Sequence, residues 1–490
     1  MLVFLRPILP EIILLFGGCI VLLLDVFKKH IHYLNVILVG ILMTCIVVIS
    51  YFSNDGLFYH RMFWVSTFTQ LIKILLLAFT LFYFMATSKV IDKYELNKNE
   101  HNVMVLFMLI GMCLMISSNH FIVLYVGVEI QSLAAYTLAA MQRKSQFSAE
   151  AGMKYFILGS LASIVYLFGV SYIYGAVSTL YLHEFVNLHT KGIELGAMLI
   201  LISFLFKFGL FPFHQWVPDI YQGAPTPSTS ILATLSKIGA IAILVRLTIG
   251  VFSAAFSFVN LEFILTCVSI GSMIIGAVVP ITQVYLKRLL GYSAVGHAGF
   301  IIMGLLGRNP DGAAIIISYM IVYILSLMTV FICVMSLKNK ESASEENNDL
   351  LLSKLEGLAQ IRPKHALLLS VCFLSMAGLP PFIGFFPKLL ILQHIINQQE
   401  WLIAGVAVCT TVIGLFYYLK LVKLMYIDVP TKQSVALTVR VNKKLWMVFW
   451  PILFVHLLGI YVPILQKLHQ QYIVSAAGSL FVGFNEKNYP

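Results

Sequence analysis

The sequence is short of charge. Only 11% of its 490 residues are Asp, Glu, Lys or Arg, while 60% are hydrophobic and the mean hydropathy is +0.92. A soluble domain of this length needs far more polar surface, so that class is excluded. Acidic residues are the scarcer sign, 21 against 32 basic ones, for a formal net charge of +11. The basic residues gather between apolar runs, which makes them topology signals and argues against a nucleic-acid partner. The seven cysteines (Cys19, Cys45, Cys113, Cys267, Cys333, Cys372 and Cys409) are scattered through apolar segments without a CxxC pair. That pattern excludes a disulfide framework, a zinc site and an iron–sulfur cluster. No Gly-rich phosphate loop or dinucleotide fingerprint stands out, so no cofactor is expected in this chain. No small-residue cleavage site follows the opening apolar run, which Asp25, Lys28 and Lys29 close directly, so Met1 to Phe27 reads as a retained first helix.

What the chain does have is apolar runs near twenty residues long from end to end. They predict an all-α, polytopic membrane protein with spans at 8–27, 33–52, 66–87, 102–118, 120–140, 151–176, 193–216, 228–250, 257–281, 289–306, 312–337, 364–396, 401–426 and 445–466, about fourteen in all. Odd-numbered loops hold most of the basic residues, among them Lys89, Lys93, Arg143, Lys144, Lys287, Arg288, Lys338, Lys340, Arg440 and Lys443, whereas even-numbered loops hold only Arg61, Lys191 and Arg308. The positive-inside rule therefore puts the odd loops on the cytoplasmic or matrix side and both termini on the other. In the longest polar stretch, residues 338–349 read as a mobile loop. Residues 350–365 read as a connector or a short amphipathic helix on the inner face.

Span 7 combines an expensive charge with a break. In LISFLFKFGLFPFHQWVPDIY, Lys207 enters the apolar run and Pro212 interrupts it five residues later. Both are tolerable where the segment lines a wet cavity or packs inside protein. Gly209-Leu210-Phe211-Pro212-Phe213 is echoed in span 12 by Gly378-Leu379-Pro380-Pro381-Phe382, with Lys388 close behind. Spans 7 and 12 are five apart, and an odd offset makes the two repeats of five helices inverted in the membrane, a transporter architecture. The expected organisation is 1–98 as an N-terminal three-helix segment, 99–250 as the first repeat and 251–427 as the second, with 428–490 as loop, last helix and tail.

Several charges fall inside spans. Glu129, near the middle of span 5, is either a structural ion-pair member or a group on a hydrated path, and Lys207 is its candidate partner. A lysine balanced between desolvation and a neighbouring carboxylate can take up and release protons. Lys237 lies at the centre of span 8, too deep to snorkel easily, while Lys388 is nearer an end. Lys154 is four residues from Glu150 and can pair with it along one helix face. Lys73 and Arg246 read as snorkelling or packing residues. His214 and His297 are either proton relays or satisfied packing histidines.

Together VGVEIQSLAAY, EAGMKYFILGSLAS, FKFGLFPFHQWVPDIYQGAPTPSTSIL, TLSKIGA, KRLLGYSAVGHAGF and GLPPFIGFFPKLLIL make a specific set. Over nearly its whole length the chain resembles the subunit N (mitochondrial subunit 2) family, antiporter-like subunits of the proton-pumping NADH:quinone oxidoreductase, complex I. The resemblance implies a proton path through Glu129, Lys207, Lys154, Lys237 and Lys388, with His214 and His297 helping to connect it. It implies two half-channels, spans 4–8 and 9–13, joined by a polar axis at mid-membrane. It implies NADH, FMN, iron–sulfur clusters and quinone elsewhere in the complex, none in this chain. The implied partners are the neighbouring antiporter-like and small membrane-arm subunits and the lipid bilayer. A bacterial inner membrane is the expected location, with a mitochondrial one as the other option. Two alternatives stay open: a subunit of a stand-alone cation/proton antiporter, or a structural spacer whose charges only pack helices.

Overall fold

A computed structural model describes residues 5–27, 34–51, 55–87, 91–94, 96, 98–185, 191–252, 260–337, 351–430, 453–456 and 473–479. Its long helices are α1 (Leu9–Phe27), α2 (Leu34–Tyr51), α3 (Thr67–Thr87), α4 (Lys98–Ser117), α5 (Phe121–Ala139) and α6 (Gln146–Val177). Next come α7 (Lys191–Phe208), the short α8 (Trp216–Gly223), α9 (Thr226–Val245), α10 (Leu261–Val278), α11 (Leu286–Met303) and α12 (Pro310–Leu337). The series closes with α13 (Pro363–Ala377), α14 (Phe385–Asn397) and α15 (Trp401–Tyr426). Among the described residues, 10 helices are long and apolar enough to cross a membrane. Predicted span 14 falls almost wholly outside the described residues, as do residues 338–350.

Local sequence explains where the helices begin and end. The Ser145 side chain accepts from Ser148 N at the start of α6, and Asn260 accepts from Phe263 N at the start of α10, each satisfying an otherwise orphaned donor. Pro227 and Pro363 sit in the first turns of α9 and α13, where a missing N–H does no harm.

Spans 7 and 12 are each cut in two. Both first halves end on a left-handed glycine, Gly209 at φ +78° and Gly378 at φ +81°. Both close alike: Leu210 N donates to Leu205 O and Leu379 N to Leu374 O, the six-to-one bond of a Schellman end. A cis X–Pro bond follows each, Phe211–Pro212 and Pro380–Pro381.

α9 is the hub. Every residue from Thr226 to Val245 is buried, and α3, α4, α7 and α12 surround it. α6, by contrast, shows Phe156, Leu161, Ile164 and Phe168 outward.

One feature departs from the sequence reading, and the structure decides between the two readings of another. Residues 56–65 form a hairpin, strands Gly56–Phe58 and Phe63–Val65 in antiparallel register, whose tip holds Tyr59, His60 and Arg61 at positive φ. Residues 351–365 are no continuous amphipathic helix. They make a 3-10 turn (Leu352–Leu355) and one α-turn (Leu358–Ile361), and Leu352, Leu355 and Leu358 are pinned into the core.

Candidate functional site

The break between α7 and α8 carries the first lysine. Lys207 Nζ donates to Ser132 Oγ at 2.8 Å, so α7 is tied to α5 by a charged donor. Ser132 lies one turn beyond Glu129 on α5, and its hydroxyl also donates to Val128 O at 2.6 Å. Among the described residues no direct ion pair joins Glu129 to Lys207. Instead Glu129 Oε1 is buried without a hydrogen-bond partner, and the amine's bond goes to the serine one turn along α5. The expected pair is therefore a through-space one. Beyond the turn, Phe211 N donates to Ser272 Oγ of α10 at 2.9 Å, hooking the break onto the second half of the chain.

Lys237 comes next. It is 4% exposed, its amine donates to Ala294 O of α11 at 3.2 Å, and it lies over the rings of Phe208 (5.5 Å) and Tyr323 (5.7 Å). No carboxylate is within ion-pair distance of it among the described residues. Backbone oxygen and ring faces supply the only stabilisation, an arrangement that holds an amine in place without fixing its charge.

His297 continues the line. Its ring centroid is 4.7 Å from that of Tyr323. Its Nδ1 is 2.8 Å from Tyr319 Oη and its Nε2 3.1 Å from Tyr418 Oη, and Tyr418 in turn meets Ser293 Oγ at 2.5 Å. Both ring nitrogens thus have hydroxyl partners that can act as donor or acceptor.

Lys388 ends the series. Its Nζ donates to Ala377 O at 2.9 Å, the open carbonyl end of α13, and lies 5.3 Å over Phe300. A cation at a helix C-terminus is favoured by the helix dipole. Two cavities of about 30 and 10 Å³ are each lined by both His297 and Lys388. They offer room for water on the scale of single molecules.

Two sequence candidates lie elsewhere. Lys154 Nζ is 2.6 Å from Glu150 and 3.4 Å from Asp219, with its side chain 45% exposed, so the structure brings it to the expected helix-face pair and not to Lys207. Asp219 is gripped from the other side by Arg288 at 2.7 Å. His214 sits half-buried by the first break, 6.0 Å from the Phe211 ring, with a buried Nδ1 lacking a partner. The sequence reading missed Ser132, Tyr319, Tyr323 and Tyr418, because hydroxyls of these types are common and only packing singles them out. For Lys73 and Arg246 the structure decides between the two readings, snorkelling and packing, in favour of packing. Lys73 is buried in a 2.5 Å ion pair with Glu11, and Arg246 is 1% exposed, stacked 4.8 Å over Trp64 with Nη1 on Ile116 O at 2.6 Å. Neither snorkels. No cluster of three or more metal-ligating side chains occurs among the described residues.

Comparison with known proteins gives this arrangement a family. The family model described as NADH:quinone oxidoreductase/Mrp antiporter, TM matches residues 118–414, more than half of the chain. NADH-quinone oxidoreductase subunit N of Paramagnetospirillum magneticum is 34% identical over 439 residues, 87% of this chain and 89% of that one. The chain belongs to the subunit N family. A second relative of that name, from Hydrogenovibrio crunogenus, is 33% identical over 86% of this chain and 89% of its own length. Among solved structures, a chain of respiratory complex I from Thermus thermophilus superposes with a TM-score of 0.76 at 24% identity, over 95% of this chain and 99% of that one. A chain of the Mrp complex from Dietzia sp. reaches 0.81 at 19% identity, over 97% and 98%. At such identities these structures establish the shared antiporter-like fold alone, whereas the sequence relatives point to subunit N.

Proposed function

We propose that this subunit N family member moves protons across the membrane as part of complex I, driven by NADH oxidation and quinone reduction in other subunits. The observation that carries the reading is the alignment of Lys237, His297 and Lys388 through Tyr323, Tyr319, Tyr418 and two small cavities. Lys207 joins it at one end, because Phe208 beside it is one of the rings facing Lys237. Charged amines along one buried row repel one another. A proton arriving on one therefore raises the cost of a proton on the next, and charge can be pushed along the row. Glu129 modulates the first member without touching it. The axis contains no redox chemistry, and the flavin, iron–sulfur clusters and quinone belong to partner subunits.

The same reading takes the matched breaks as the centres of two inverted five-helix repeats, 99–250 and 251–427, each a half-channel, within a fourteen-helix total. It places the basic odd-numbered loops on the inner side of a bacterial inner membrane and both termini outside. His214 and His297 serve as connectors. Lys154, engaged by two carboxylates near the surface, stays outside the transfer row. The test is Lys237→Ala in the intact complex reconstituted in vesicles. NADH-driven acidification should fall away while subunit content is kept, and undiminished pumping would remove Lys237 from the mechanism. A stand-alone cation/proton antiporter would instead show sodium- or potassium-linked exchange without NADH.

A further inference from the structure

A second set of buried polar groups surrounds the first turn of α9, remote from the lysine row. His101 of α4 is 0% exposed, and neither ring nitrogen has a hydrogen-bond partner. The same holds for both polar atoms of the Asn102 amide, at 1% exposure, and for the hydroxyls of Ser228 and Ser230, at 0%. Tyr83 of α3 stacks on the imidazole with centroids 6.2 Å apart, and its hydroxyl donates to Pro227 O at 3.3 Å, so the histidine is held against the start of α9.

Helix register says which of these groups face each other. A Cβ on Gly239 of α9 would touch Met115 Cε at 2.6 Å and Met112 Cγ at 3.1 Å, so this part of α9 faces the Met112–Met115 turn of α4. His101 precedes Met112 by eleven residues, and Ser228 precedes Gly239 by eleven. Eleven residues is close to three whole turns on each helix. His101 and the first turn of α9 therefore lie at the same end of the seam, and neither His101 nor the Ser228 hydroxyl has a hydrogen-bond partner. Buried polar groups left in this state are ordinarily bridged by ordered water. On the adjoining face of α9, Ser230, Thr234 and Lys237 stand at i, i+4 and i+7, a polar stripe about 10 Å long that leads to the amine.

We propose that the α3–α4–α9 seam holds ordered water and that His101 relays protons through it toward Lys237. An imidazole with both nitrogens free to bond can accept a proton on one and release the proton held on the other. It then carries charge past the positive end of α9 without storing it there, where a standing cation is disfavoured. The inference rests on the reading of Lys237 as a proton carrier.

The experiment uses the intact complex in vesicles, with His101→Gln, His101→Leu and Lys237→Ala compared for NADH-driven acidification and quinone reduction at full subunit content. Glutamine keeps hydrogen bonding but cannot titrate. His101→Gln and His101→Leu should each slow coupled turnover about tenfold. Wild-type pumping by His101→Gln overturns the relay. If Lys237→Ala is impaired while His101→Gln is normal, the relay fails and the lysine row stands; if Lys237→Ala is normal, the reading of the row fails. Should His101→Leu not assemble, a map of the wild-type complex resolving waters decides. Density bridging His101 and Ser228 supports the relay, and a dry seam overturns it.

Discussion

The two interrupted helices close identically and hold their lysines differently. At the first break Lys207 precedes the turn and reaches across to Ser132 on another helix, within the influence of Glu129. At the second, Lys388 follows the turn and folds back onto Ala377 O, the end of the half-helix it has just left. The first amine depends on how α5 and α7 stand relative to each other, so a small helix movement alters its surroundings. The second is anchored by its own broken helix and by the dipole of α13. One motif thus gives a contact that motion can break and a contact that motion carries along.

The largest expected effect comes from removing the movable amine. Lys207→Met in the intact complex should cut NADH-driven acidification by about a hundredfold, read with a pH-sensitive dye in vesicles. Pumping near the wild-type rate would mean that the Ser132 contact is only packing.

Next come the two glycines. A Cβ at Gly378 would sit 2.6 Å from Lys388 Cδ, and one at Gly209 would sit 2.4 Å from Val217 Cγ2, both on left-handed backbone. Gly378→Ala and Gly209→Ala should each cost about 1–3 kcal/mol of stability, followed as thermal inactivation of the purified complex. Only Gly378→Ala pushes directly on a lysine, so it should lose more pumping per unit of stability lost. Equal losses would erase the distinction between the breaks.

Ser132→Ala is milder. It removes one hydrogen bond to a charged group, worth about 1.5–3 kcal/mol, and should slow quinone-linked turnover while Lys207 remains. A variant indistinguishable from wild type would show that Glu129 acts on Lys207 without the serine.

The smallest effect is expected at Lys154. Its ion pairs are partly exposed, a setting worth about 0–1 kcal/mol, so Lys154→Met should leave NADH:quinone turnover within the scatter of repeat assays. A marked fall in pumping would return it to the transfer row.

Much of this was legible in the chain itself. Apolar run lengths reproduce α1, α2, α3 and α15 within a residue or two, because a bilayer-length helix has no other way to satisfy its backbone. Pro212 and Pro380 announced both breaks. Lys207, Lys237 and Lys388 announced the site through the cost of a charge in an apolar run. Less legible were the hairpin at 56–65, too short to show a period, and the buried Lys73–Glu11 pair. Its members are 62 residues apart in sequence, and no local pattern links them.

Sequence alone determined that the protein lives in a membrane, where α1, α2, α3 and α15 fall, which two spans break and that Lys237 sits deep. Those follow from transfer cost and backbone geometry, which act residue by residue. Tertiary structure decided what each deep group faces: serine rather than glutamate for Lys207, a carbonyl and two rings for Lys237, tyrosine hydroxyls for His297, a helix end for Lys388. It also decided that His101 is held by Tyr83 against the start of α9. Such choices depend on how separate helices are rotated and set against one another, and that is fixed only when the side chains of all of them pack at once.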